Sequence, residues 1–189
     1  MKLPVKSALV GAVAAVTLSA TSLSAQVGLT SALATVNINA TKSSVLSLLI
    51  NSGGTQNLAS LTDNTTNNFA SPVNVTTTWD LNAGSNVVLV GSFSTPAQAL
   101  ASGTNYITSS YLKGKMATGT PTTFTAFTQN GVGTIGTAGG SLTLFTQSVA
   151  GNLANSRTDN LDLQIDLTGH ATLVPGTYTG TLNLQAIVQ

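Results

Sequence analysis

Apolar and polar residues alternate with period two along much of this chain, most clearly near its end. After Pro175-Gly176, one face carries Tyr178, Gly180, Leu182, Leu184, Ala186 and Val188, while Thr179, Thr181, Asn183 and Gln185 take the other. Successive side chains of a strand point to opposite sides of a sheet, so the pattern predicts a long strand with one wet face, running from the Pro-Gly turn to residue 188. Upstream, Leu161, Leu163, Ile165 and Leu167 alternate with Asp162, Gln164 and Asp166, and Thr168-Gly169 ends the run. These two segments are expected to pair as antiparallel neighbours across a short loop containing His170. Further strands are expected at 35–40, 44–50, 73–81, 87–93 and 141–149. Trp79 shares a face with Val73, Val75, Thr77 and Leu81, which assigns its ring to the core.

Turn-forming residues separate these segments: 51–54, 63–68, 82–86, 113–121 and 131–140 are rich in Gly, Asn, Ser, Thr and Pro. The cluster 155–160 also reads as a turn, with Arg157 pairing at the surface with Asp159 or Asp162. One helical candidate remains, 95–101, where Thr95 is placed to cap and Pro96 to open a turn or two. Many short strands without a long amphipathic helix indicate an all-β fold, an antiparallel two-sheet β-sandwich of Ig-like or pilin-like type with long turn-rich loops.

The beginning of the chain has a different grammar. Lys2 and Lys6 precede the apolar run 8–18, and small residues follow up to Ala25. That order is a secretory signal peptide, and the run is shorter than the roughly 20 residues a membrane-spanning helix needs. The expected organisation is a signal peptide at 1–25, cleaved after Ser24 or Ala25, an N-terminal extension or first strand at 26–34, and a sandwich domain at 35–189. The expected destination is the periplasm, the outer surface or the medium, with no membrane span in the mature protein.

The 189 residues suit a single domain. Only 6% are charged, with five Asp and no Glu, and removal of Lys2 and Lys6 leaves four cations against five acids. No basic footprint exists for a nucleic-acid partner. Cysteine is absent and His170 is the sole histidine, which removes thiolate nucleophiles and the common zinc ligand sets. Five Asp leave a carboxyl pair arithmetically possible, but no motif nominates one and no nucleophile elbow or cofactor motif is recognisable, so neither catalysis nor a cofactor is expected. Asp162, Gln164 and Asp166 present oxygens in a row; the alternation of a half-exposed strand already accounts for them. Tyr106 and Tyr111, in a Ser/Thr/Gly-rich stretch, are the candidate contacts for a ligand such as a surface glycan.

The ending Val174-Pro-Gly-Thr-Tyr-Thr-Gly-Thr-Leu-Asn-Leu184 resembles the last strand of secreted bacterial pilin-like sandwiches, notably the spore coat protein U and chaperone-usher pilin group. Trp79-Asp-Leu81 is similar to one tripeptide of the bacterial WxL surface domains, and the place of the second tripeptide reads Leu182-Asn-Leu184. The pilin-like families often carry a cysteine pair that this chain lacks. Their resemblance implies assembly by strand addition, in which an extended segment of one subunit completes the sandwich of the next. Val27, Leu29 and Leu33 are the candidate strand donors, with the same segment readable instead as the domain's own first strand. The expected role is therefore a structural or adhesive surface component, such as a fibre or coat subunit with itself as partner. The second reading is a secreted carbohydrate- or ligand-binding module using loop aromatics.

Overall fold

The computed structural model describes residues 32–151 and 153–189. The chain divides into two units, Met1–Thr41 and Lys42–Gln189. Among the described residues, every regular element belongs to the second unit. Its strands in chain order are β1 (Val45–Ser52), β2 (Thr66–Asn68), β3 (Val73–Asp80), β4 (Asn86–Ser92), β5 (Leu100–Ser102), β6 (Asn105–Ile107), β7 (Leu112–Met116), β8 (Thr125–Ala126), β9 (Ser141–Ser148), β10 (Ala154–Asp166) and β11 (Asn183–Val188). The two helical pieces are single 3-10 turns, Pro96–Gln98 and Ser109–Tyr111.

All strand pairings among the described residues are antiparallel. The larger sheet has the order β1-β3-β10-β7-β8, with β2 also on β10; the smaller has the order β11-β4-β9. β5 and β6 form a separate hairpin. Val75 and Trp79 of β3, Met116 of β7 and Leu161 and Ile165 of β10 share one core with Leu89 of β4 and Leu142 and Leu144 of β9. The fold is thus an antiparallel two-sheet sandwich, as the alternation predicts. Phe93 and Phe127 meet edge to face at 5.2 Å inside it. Each such fully buried apolar side chain contributes about 1.5–3 kcal/mol, and with no cysteine this burial carries the fold.

Val87 to Val90 of β4 are buried on both faces, which explains a continuous apolar run in place of alternation. The outer face of the small sheet is covered by the 128–140 segment, bridged to β9 through Gln129 and Ser141, with Gly133 close against Ile187.

Several expectations are corrected. The segments ending in Leu167 and Val188 do not pair: β10 lies in the large sheet and β11 in the small one. Alternation specifies a face, and both faces meet in the same core, so the connection can cross between sheets without changing the pattern. The last strand begins at Asn183 and not at Thr177, because its partner β4 ends at Ser92 opposite Asn183; Thr179 bridges to Ala101 instead. Residues 35–40 form no strand. The stretch expected to turn at 113–121 begins as strand β7, and 155–160 is the interior of β10. Thr95 makes no side-chain cap, and Pro96 opens one 3-10 turn.

Candidate functional site

Among the described residues, the small sheet ends at β11, whose only partner is β4, and the large sheet ends at β1, whose only partner is β3. Neither has a second ladder partner in these sheets, and the two edge strands lie close to each other. Near the end of β1 and the start of β11 the core opens into a groove of about 830 Å³, apolar at its deep wall and polar along much of its rims, where Asp63 and Lys113 also line it. Its deep wall includes Phe69, Phe93, Phe127, Leu163, Ile165 and Leu184, and its rims are the non-strand stretches 53–61 and 173–182. Those rims carry Leu58, Leu61, Leu173, Tyr178 and Leu182, which pack only partly against the core. An extended chain with apolar side chains on alternate positions suits such a place, since its backbone can continue a sheet while every second side chain enters the pocket.

A segment of that type exists in the chain. Leu33, Val36 and Ile38 are 90%, 83% and 88% exposed. Val36 and Ile38 alternate with Asn37 and Asn39, so an extended 34–40 presents Ala34, Val36, Ile38 and Ala40 on one face. Of the candidate donors, Leu33 belongs to this exposed stretch, while Val27 and Leu29 lie outside the described residues, as does the expected signal peptide.

Tyr106 sits on β6 opposite Ala101 of β5 and is 40% exposed. Tyr111 closes the second 3-10 turn, where it packs on the core, and the ring against it is His170, edge to face at 4.4 Å. The chain's one histidine is thus a packing partner for Tyr111, with its Nδ1 2.5 Å from the Ala171 carbonyl oxygen. Trp79 is buried in the core at 4% exposure.

The polar row on β10 is engaged residue by residue. Asp162 pairs with Lys115 at 3.3 Å, Gln164 donates to Asn68 Oδ1 at 2.7 Å, and Asp166 pairs with Lys113 at 2.6 Å. The Lys113 hydrogen bond and the donors of Thr168 hold the Asp166 carboxyl down at about 2, so it is an anion at neutral pH. The two acids reach different lysines, Gln164 reaches Asn68, and the three do not converge; among the described residues no three His, Cys, Asp or Glu side chains group to hold a metal.

Of the two acids expected to pair with Arg157, Asp159 does so, but in the interior of a strand and turned inward instead of at the surface of a turn. Arg157 and Asp159, two apart on β10, turn inward at the rim of the core. Arg157 Nε and Nη2 donate to the two Asp159 oxygens at 2.5 and 2.8 Å, Nη2 also donates to the Thr118 carbonyl at 3.1 Å, and the guanidinium lies 4.2 Å from the Phe145 ring centre. Burial pushes the Asp159 carboxyl up, but the hydrogen bonds from Arg157 and Thr118 outweigh it and hold the carboxyl below its ordinary value. Arg-x-Asp on alternate strand positions was the available clue; the loop-like composition Asn155 to Asn160 concealed the strand.

Comparison with known proteins finds no matching family model, no matching curated protein and no matching solved structure.

Proposed function

We propose that this chain is a secreted structural or adhesive surface component, a fibre or coat subunit assembled by strand complementation between copies. The observation that carries this reading is the open groove with an apolar deep wall beside edge strand β11. The exposed alternating segment supplies the matching half: Val36 and Ile38 of one copy enter the groove of the next, and Asn37 and Asn39 face water. Leu33 then leads into the donor.

Composition supports the same role. A surface covered mostly by Thr, Ser, Asn and Gln, at 6% charge overall, offers little repulsion between copies. The side chains that move protons or donate electron pairs in enzymes are scarce, and Asp159, Asp162 and Asp166 are tied to cations, so the role is assembly and not turnover.

Sedimentation velocity of the chain from residue 26 and of the chain from residue 42 tests the proposal. The longer chain is expected to form concentration-dependent oligomers and the shorter to stay a monomer. Monomers at every concentration from both would overturn it.

A further inference from the structure

A second concavity, separate from the apolar groove's deep wall, lies at the end of the large sheet's outer face. It has a volume of about 520 Å³ and is bounded by 52–57, 70–72, Asn74 and Asn160. Among the described residues, no charged or aromatic side chain lines it. Its floor is built on three adjacent strands, β1, β3 and β10, which a sheet places about 4.8 Å apart. Asn51 Nδ2 donates to Asn74 Oδ1 at 2.7 Å and to Thr76 Oγ1 at 2.8 Å, and Asn74 Nδ2 donates to Asn160 Oδ1 at 2.6 Å. The amides therefore form a chain with one direction, and each rotamer is held by the next.

That directionality decides which groups are left over. Each carboxamide nitrogen carries two hydrogens. Both hydrogens of Asn160 and one of Asn74 have no protein partner among the described residues, so the floor offers donors. On the wall, Gln56 Nε2 is fixed on the Gly53 carbonyl at 2.8 Å, which leaves Gln56 Oε1 as an acceptor, and Ser71 also lines the cleft. Ala70 and Pro72 add a small apolar patch.

We infer that this cleft is a binding site for a neutral saccharide. Each sugar hydroxyl both donates and accepts, which matches donors on the floor facing an acceptor and a hydroxyl on the wall, and the C–H face of a pyranose fits Ala70 and Pro72. Phosphates and acidic polymers find no cation in the cleft, a nucleobase finds no ring to stack on, and a peptide side chain finds no deep apolar pocket. Preordered amides lower the entropy cost of binding, while the lack of a stacking ring keeps affinity modest. The site is distinct from Tyr106 and shares its 53–57 wall with a rim of the groove.

The test is a heteronuclear NMR titration of the full chain with neutral hexasaccharides of glucose, mannose and N-acetylglucosamine, and with a hexamer of galacturonic acid. At least one neutral hexamer is expected to shift the side-chain amide signals of Asn74 and Asn160, with little dependence on salt. Gln56→Ala, which lies outside the amide chain and leaves the sheet intact, is expected to weaken binding roughly fivefold, and Asn160→Ala by at least as much. Tyr106→Ala is expected to change nothing. The inference is overturned by no shift with any neutral hexamer up to about 10 mM. Unchanged affinity in both cleft variants, or preference for the acidic hexamer, overturns it equally.

Discussion

Arg157 and Asp159 face the same side of β10 because strand side chains repeat every two residues. Asp159 is almost fully buried, so its charge depends on Arg157 for compensation. Arg157→Ala is expected to destabilise the fold by about 3–5 kcal/mol in urea unfolding, since it strands a buried carboxylate, whereas Arg157→Met combined with Asp159→Leu should recover most of the loss. Thr77 on β3 presents the opposite case: its hydroxyl is buried with no hydrogen-bond partner among the described residues. Thr77→Val keeps the shape and removes the unpaired group, so the urea midpoint should rise, by up to about 1–3 kcal/mol of stability. Asp159 and Asp166 also set the response to acid. Both carboxyls sit below 3.8 in the folded chain, so each stabilises the fold above that pH and loses its contribution as pH falls, toward about 2 for Asp166. Stability measured by urea unfolding should therefore decline between about pH 4 and 2, and Asp166→Asn should flatten that decline.

Among elements, β7 shows most clearly what the sequence hides. Leu112, Gly114 and Met116 point in and Lys113 and Lys115 point out, a period-two pattern masked by a glycine on the apolar face and by the polar stretch that follows. Gly114 is there for close packing: a Cβ on it would come within 3.1 Å of Leu142 and Leu161 and 3.2 Å of Phe127. Gly114→Val is expected to cost about 1–3 kcal/mol through overpacking, readable as a lower thermal midpoint. β3 and the second half of β10, where alternation is uninterrupted, were legible as segments and faces, and β1 and β9, interrupted at Leu48-Leu49-Ile50 and at Leu144-Phe145, as segments only. Their neighbours were not, because pairing depends on which sheet each connection enters. The same limit applies to the candidate site. Leu33 was legible as an apolar position in a donor-like segment, but Phe69, Phe127 and Leu184 come from segments far apart in the chain and meet only in the folded groove. At 35–40 the alternation predicted a strand that does not form, and every residue of 34–40 is exposed.

At the scale of the whole molecule, the proposal joins two features: a sandwich with a groove beside an edge strand, and an exposed segment whose sequence alternates apolar and polar positions. Filling the groove would bury Val36 and Ile38 and extend the small sheet, so occupancy should stabilise the acceptor by mass action. The most direct measurement is thermal unfolding of residues 42–189 with increasing amounts of a synthetic peptide of residues 32–41, alongside the same peptide carrying Val36→Asp and Ile38→Asp. A saturable rise in the midpoint with the native peptide and none with the variant is the predicted result; an unchanged midpoint with both, or an equal rise with both, would contradict it.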